Sequence, residues 1–103
     1  PSFNGRSGML YKFDYAIGRN KRHPMRLIKA VNNPGRQGVQ NALFGWEDVK
    51  ASRMECEGYV FLNSKNTKDG VVSSEVVRAC ENYGLTPVIW GVNQDEYLPK
   101  LVA

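Results

Sequence analysis

Asp14 and Lys29 are the residues whose types and spacing best suit chemistry. A carboxylate beside a lysine suits metal-dependent phosphodiester cleavage: the carboxylate holds Mg²⁺, and the ammonium orients the attacking water or offsets charge developing in the transition state. With a hairpin turn centred near Lys21, Asp14 falls opposite Ile28, one residue from Lys29. A slip of one residue would change which sheet face the two share. The simpler reading of Asp14 is a cross-strand ion pair on a wet sheet face, with Lys12, Arg26 or Lys29 as the cation, an arrangement common in sheets. Charge is the second feature. Residues 1–36 carry eight basic side chains against one acid, Asp14, whereas the rest of the chain carries six against nine. Arg19, Lys21 and Arg22 crowd one turn, and Arg26, Lys29 and Arg36 follow, so the turn and one sheet edge form a patch able to neutralise several phosphates of DNA or RNA. Such contacts position a backbone without reading its sequence. Tyr11, Phe13 and Tyr15 interleave with these cations; they can stack on unpaired bases, although alternating aromatics are more often core.

Other chemistries find no support. The chain has neither a Gly-x-x-x-x-Gly-Lys loop nor a Gly-x-Gly-x-x-Gly turn after a strand, so no nucleotide cofactor is expected. The single histidine, His23, lies between Arg22 and Pro24 in a polar turn and reads as solvated. A Cys–His nucleophile pair would need His23 to meet Cys56 or Cys80, and Cys80 falls on an apolar helical stripe. Two cysteines alone make neither a zinc ribbon nor a disulfide scaffold, which predicts reduced core residues and a cytoplasmic protein. No apolar run approaches the roughly twenty residues needed to cross a bilayer, so no membrane partner is expected.

The elements that must position these residues follow from periodicity. At 103 residues, 42% hydrophobic and 23% charged, the chain has the balance of a single domain, and its start at Pro1 suggests a fragment or C-terminal domain of something longer. Met9 to Ile17 alternates with period two and predicts one strand, with Met9, Tyr11, Phe13, Tyr15 and Ile17 on a common face. Gly18 to Pro24 is a turn, Met25 to Val31 a second strand, and Asn32-Asn33-Pro34-Gly35 a stop. Val39, Ala42, Leu43, Trp46 and Val49 set a helix over 37–53 that buries Trp46, weakened by Gly38 and Gly45. Tyr59 to Leu62 predicts a central strand buried on both faces. Ser73 or Ser74 caps a second helix ended by Gly84, and Val88 to Val92 is a last strand. The tail from Asn93 has no strong period. The predicted class is α/β, more broadly α+β: a mixed sheet of about four strands in the order hairpin, helix, strand, helix, strand.

That order, with Asp14 and Lys29 in the hairpin, resembles the core of the restriction-endonuclease-like superfamily, the PD-(D/E)xK fold. More narrowly, the stretches Lys12-Phe13-Asp14-Tyr15, Arg26-Leu27-Ile28-Lys29-Ala30-Val31-Asn32, Phe44-Gly45-Trp46-Glu47-Asp48 and Pro87-Val88-Ile89-Trp90 resemble an uncharacterised domain of bacteria and phages that commonly follows another small uncharacterised domain. The superfamily wants an acid two residues before the lysine, where this chain has Leu27. Some of its enzymes recruit the missing acid from the following helix, which would implicate Glu47 or Asp48 as a metal ligand with Asp14, and Gln40 beside them. The resemblance thus implies a nucleic-acid-binding domain with a degenerate or incomplete Mg²⁺-dependent nuclease centre. The alternative is an interaction module of a phage or mobile element, one that docks an acidic protein or forms a homodimer through a sheet edge or the region of Trp90.

Overall fold

The computed structural model describes residues 1–52 and 55–101. Strands β1 (Ser2–Asn4) and β2 (Leu10–Lys12) form a small antiparallel ribbon. Strands β3 (Tyr15–Ile17), β4 (Met25–Val31), β5 (Cys56–Asn63) and β6 (Leu85–Trp90) form a mixed sheet in that spatial order, antiparallel between β3 and β4 and parallel beyond. Helix α1 (Arg36–Ser52) links β4 to β5, α2 (Ser74–Asn82) links β5 to β6, and α3 (Gln94–Leu101) follows β6. Among the described residues no helix is long and apolar enough to cross a membrane.

The α+β class and the order hairpin, helix, strand, helix, strand are those expected. Several elements differ. The single strand predicted over 9–17 is two strands in two sheets, broken at Phe13 and Asp14. Phe13 turns inward and is buried, while Tyr15 is 69% exposed, so the two rings are not on one packed face. Strand β1 pairs with β2, an association over eight residues that local alternation does not reveal. The unpatterned tail is helix α3, with Pro99 inside it.

Strand β5 is not buried on both faces; its residues alternate between buried and half-buried. The reason lies in the layers. One face of the sheet carries Leu27, Val31, Val60, Leu62 and Leu85, which pack with Val39, Trp46 and Val49 of α1 and Val76 and Cys80 of α2. The other face meets α3, through residues such as Leu101, which lies with Ile28 and Phe61 along one groove. Four strands at about 4.8 Å spacing are nearly twice as wide as one helix of about 10–12 Å, so half of that face stays open.

Helix α2 begins as its sequence predicts, with the Ser73 hydroxyl accepting from the Val76 amide at 3.3 Å. It ends where Gly84 takes φ of +80°, a conformation that favours glycine. Both Cys56 and Cys80 are buried and no disulfide joins them.

Candidate functional site

Residue Tyr15 pairs with Ile28, which brings Asp14 level with Lys29, one residue from the register expected. Their side chains nevertheless part. The Asp14 amide donates to the Ile28 carbonyl at 2.9 Å, and its carboxylate accepts the Ala30 amide at 2.6 Å. It borders the open sheet face beside Tyr15, Ile28 and Phe61. Lys29, on the α1 side of β4, reaches the opposite way and donates from Nζ to the Lys12 carbonyl at 3.1 Å. No ion pair joins the two among the described residues.

The remaining acids are elsewhere. Glu47 is exposed on the outer side of α1, as is Gln40 two turns before it. Asp48 is committed to the ribbon: it accepts the Ser7 amide at 2.9 Å and the Ser7 hydroxyl, and its carbonyl accepts the Arg6 amide at 2.9 Å. A Mg²⁺ ion of the kind the endonuclease resemblance implies needs converging carboxylates. Among the described residues no group of three or more His, Cys, Asp or Glu is placed to hold a metal. One Asp14 oxygen is taken by Ala30, both Asp48 oxygens by Ser7, and Lys29 lies across the sheet. These residues do not fit a nuclease metal centre.

The Ser7 hydroxyl, aided by the Ser7 amide, holds the Asp48 carboxyl below the usual carboxylate range against the opposing effect of desolvation. A depressed folded value means that this tether is fully present above the ordinary carboxylate pKa and is lost as pH falls through the lowered one. Amide exchange at Gly5 to Ser7 is therefore expected to accelerate, relative to the sheet, only in the acid range below ordinary carboxylate titration. Asp48→Ala, which removes both side-chain acceptors, should exchange fast at Ser7 at neutral pH as well; unchanged Ser7 protection in that variant would exclude the tether.

The cations do not form one patch. Arg19 meets Glu55 at 3.3 Å with both side chains more than 70% exposed, a pairing that contributes little and exchanges readily. Lys21 and Arg22 are exposed in the same loop, which the Asn20 side chain closes by accepting the Arg22 and His23 amides. His23 is half-buried with Nδ1 3.2 Å from Glu57, so the solvated position expected of it is only partly realised. Arg26, expected on the surface, is 1% exposed: its Nη1 donates to the Lys100 carbonyl at 3.3 Å, closing the end of α3, and its Nε has no hydrogen-bond partner among the described residues. The residue alternates with Leu27 in β4, and α3 covers the side on which it lies. Arg36 starts α1 at the far end of β4 and pairs with Glu75 of α2 at 2.6 Å. Of the cations that follow the turn, Lys29 alone stays near β3, joined by Lys12 at the other end of that strand from the loop.

Between the ribbon and α1 runs a groove of about 420 Å³, lined by Met9, Tyr11, Lys12, Lys29, Asn41 and Phe44 among others and by no acid. The rings of Tyr11 and Phe44 meet edge to face at 6.2 Å, and Phe44 is 56% exposed. A second stripe on α1 positions this wall. Gly38 and Asn41 line the groove, the Tyr11 ring lies where a Cβ at Gly45 would stand, 2.8 Å away, Asp48 holds Ser7, and the Ser52 hydroxyl donates to the Asn4 carbonyl at 3.1 Å. The signal was in the sequence: small and short polar residues recur at helical spacing beside the apolar stripe, and of the two glycines that weaken the helix Gly45 lets the Tyr11 ring approach, while Gly38 lets the Asn33 carbonyl just beyond β4 pass close.

A family model matches residues 5–92, described as a domain of unknown function, DUF1829. No curated protein and no solved structure matches the chain.

Proposed function

We propose that this chain, which belongs to the DUF1829 family, is a nucleic-acid-binding domain that holds phosphates along the β3 edge and cleaves nothing. The observation that carries the reading is the distribution of solvent-accessible cations about β3: exposed Arg19, Lys21 and Arg22 beyond one end, exposed Lys12 and half-buried Lys29 at the other. The element order hairpin, α1, β5, α2, β6 is compatible with an endonuclease-like core. The parting of Asp14 from Lys29 favours a binder over an enzyme.

Fluorescence anisotropy of labelled DNA and RNA at about 50 and 200 mM salt tests this, because each phosphate contact adds about 0.7–0.9 to the logarithmic salt slope. Lys21→Ala with Arg22→Ala is expected to weaken binding to every sequence and to lower the slope by roughly 1.5. An unchanged slope in that variant, or no binding by the wild type at low salt, would exclude the reading. Cleavage of the oligonucleotides with Mg²⁺ present, lost in Asp14→Ala, would restore the enzyme.

A second reading, a protein-interaction or dimerisation module, is favoured by a different observation. The open half of the sheet presents an apolar groove lined by Tyr15, Ile17, Ile28, Phe61 and Leu98, with no cation along it among the described residues. Acidic polymers gain nothing there, whereas another protein would bury aromatic surface. Sedimentation of the free chain and of Tyr15→Ser separates this module from a monomeric binder.

A further inference from the structure

The groove between the ribbon and α1 is not accounted for by phosphate contacts alone. We infer that it receives one unpaired base of a single-stranded nucleic acid, with Lys12 and Lys29 on the adjoining phosphate; this rests on the nucleic-acid reading above and names its substrate class. Four observations converge. The volume, about 420 Å³, lies within the usual range for small-ligand pockets, about 300–1,000 Å³, so a base and its sugar can enter. Its apolar wall is aromatic and open: Phe44 is 56% exposed and Met9 53% exposed, with the Tyr11 ring against Phe44. Its charge has one sign, because two lysines and no acid line it. Its polar groups also keep donors in hand. The Lys29 ammonium gives one of three protons to the Lys12 carbonyl. Asn41 accepts from Gln37 Nε2 through its own amide oxygen at 3.1 Å, which leaves its NH₂ for acceptors on a base edge.

A ring in this groove presents a stacking face, and a base in a duplex has none to offer, since both of its faces are stacked on neighbours. Apolar small molecules would not use the two lysines, and an acidic peptide would not use the rings. Among the described residues the open sheet face has rings without cations, and the 18–24 loop has cations with only the half-buried His23 imidazole, which is engaged with Glu57; the groove combines Tyr11 and Phe44 with two lysines.

The test compares affinity for a labelled oligo-dT or oligo-U strand with that for the corresponding duplex, in the full chain and in Phe44→Ala. Single strands should bind the wild type more tightly, and Phe44→Ala should lose roughly tenfold on single strands while leaving duplex affinity unchanged. Lys21→Ala with Arg22→Ala should weaken both ligands together. Photo-crosslinking of an iodouracil strand to the wild type should label the peptides holding Tyr11 or Phe44, a readout that stands even if Phe44→Ala does not fold. Equal binding of strand and duplex, with crosslinks confined to the 18–24 loop, would overturn the groove while leaving the nucleic-acid reading intact. Absence of any binding at low salt would overturn both. A nucleoside monophosphate that displaces the strand at equal concentration would make the groove a small-molecule site and overturn the strand assignment.

Discussion

Trp46→Ala is expected to lower the unfolding free energy by about 3–5 kcal/mol, read as a fall in the urea midpoint with the slope unchanged. The indole is 1% exposed at the centre of α1, with its rim against β5 and its Nε1 donating to the Tyr83 carbonyl at 2.8 Å. Truncation removes the largest of the fully buried side chains and leaves that carbonyl without its donor. Trp46→Phe separates the two effects, since it keeps most of the apolar volume and loses the hydrogen bond, for a smaller cost of about 1–3 kcal/mol. Equal losses in the two variants would show that the hydrogen bond to the end of α2, not the packing against β5, accounts for the contribution of the indole.

The second large effect is the reverse operation at the same contact. A Cβ added at Gly58 in β5 would stand 2.6 Å from Leu85 Cδ2 and 2.7 Å from Trp46 Cη2 and Cζ3. These atoms belong to side chains packed from two other elements, so none can retreat without opening the core. Gly58→Val is therefore expected to cost about 3 kcal/mol, the upper end of ordinary overpacking. The two predictions are coupled. In a Trp46→Ala background the valine would fill part of the vacated space, so its cost should shrink by about 1 kcal/mol or more, the size of coupling found between touching residues. Additive losses in thermal or urea denaturation would refute the contact.

This core was legible because its signals are local. Strand β4 was readable from its apolar run and the Asn-Asn-Pro-Gly stop, α1 from its stripe through Trp46, and α2 from Ser73 and Gly84. Strand β6 starts three residues before the apolar run at Val88, with Pro87 inside it, a residue that an edge strand admits. What was not legible depends on distant partners. Alternation from Met9 to Ile17 is indifferent to the break at Asp14, which exists because the Ala30 amide is there to be accepted. Nothing in Ser2 to Asn4 announces β1 without β2, and Pro99 argues locally against the helix that docking and the Arg26 guanidinium sustain. The candidate site shows the same division. Its cations were visible as a cluster in sequence, but periodicity could not say that Arg26 would be covered by α3, nor that Gly45 of α1 would seat the Tyr11 ring that walls a groove beside Lys12 and Lys29.

The latch of Asp14 on Ala30 also has a metric consequence. By engaging the amide next to Lys29, the carboxylate adds an anchor to a three-residue strand whose register is otherwise set by three residue pairs, and a slip by one residue would forfeit it and exchange the faces of Tyr15 and Ala16. The hairpin is thus clamped rather than sliding. The interval between the lysines at one end of β3 and the 18–24 loop at the other is a fixed ruler of about five extended residues, roughly 16 Å at 3.3 Å each. A polyanion laid along this edge meets charge at two stations of constant separation, so its occupied length is graduated by the protein and not by the ligand.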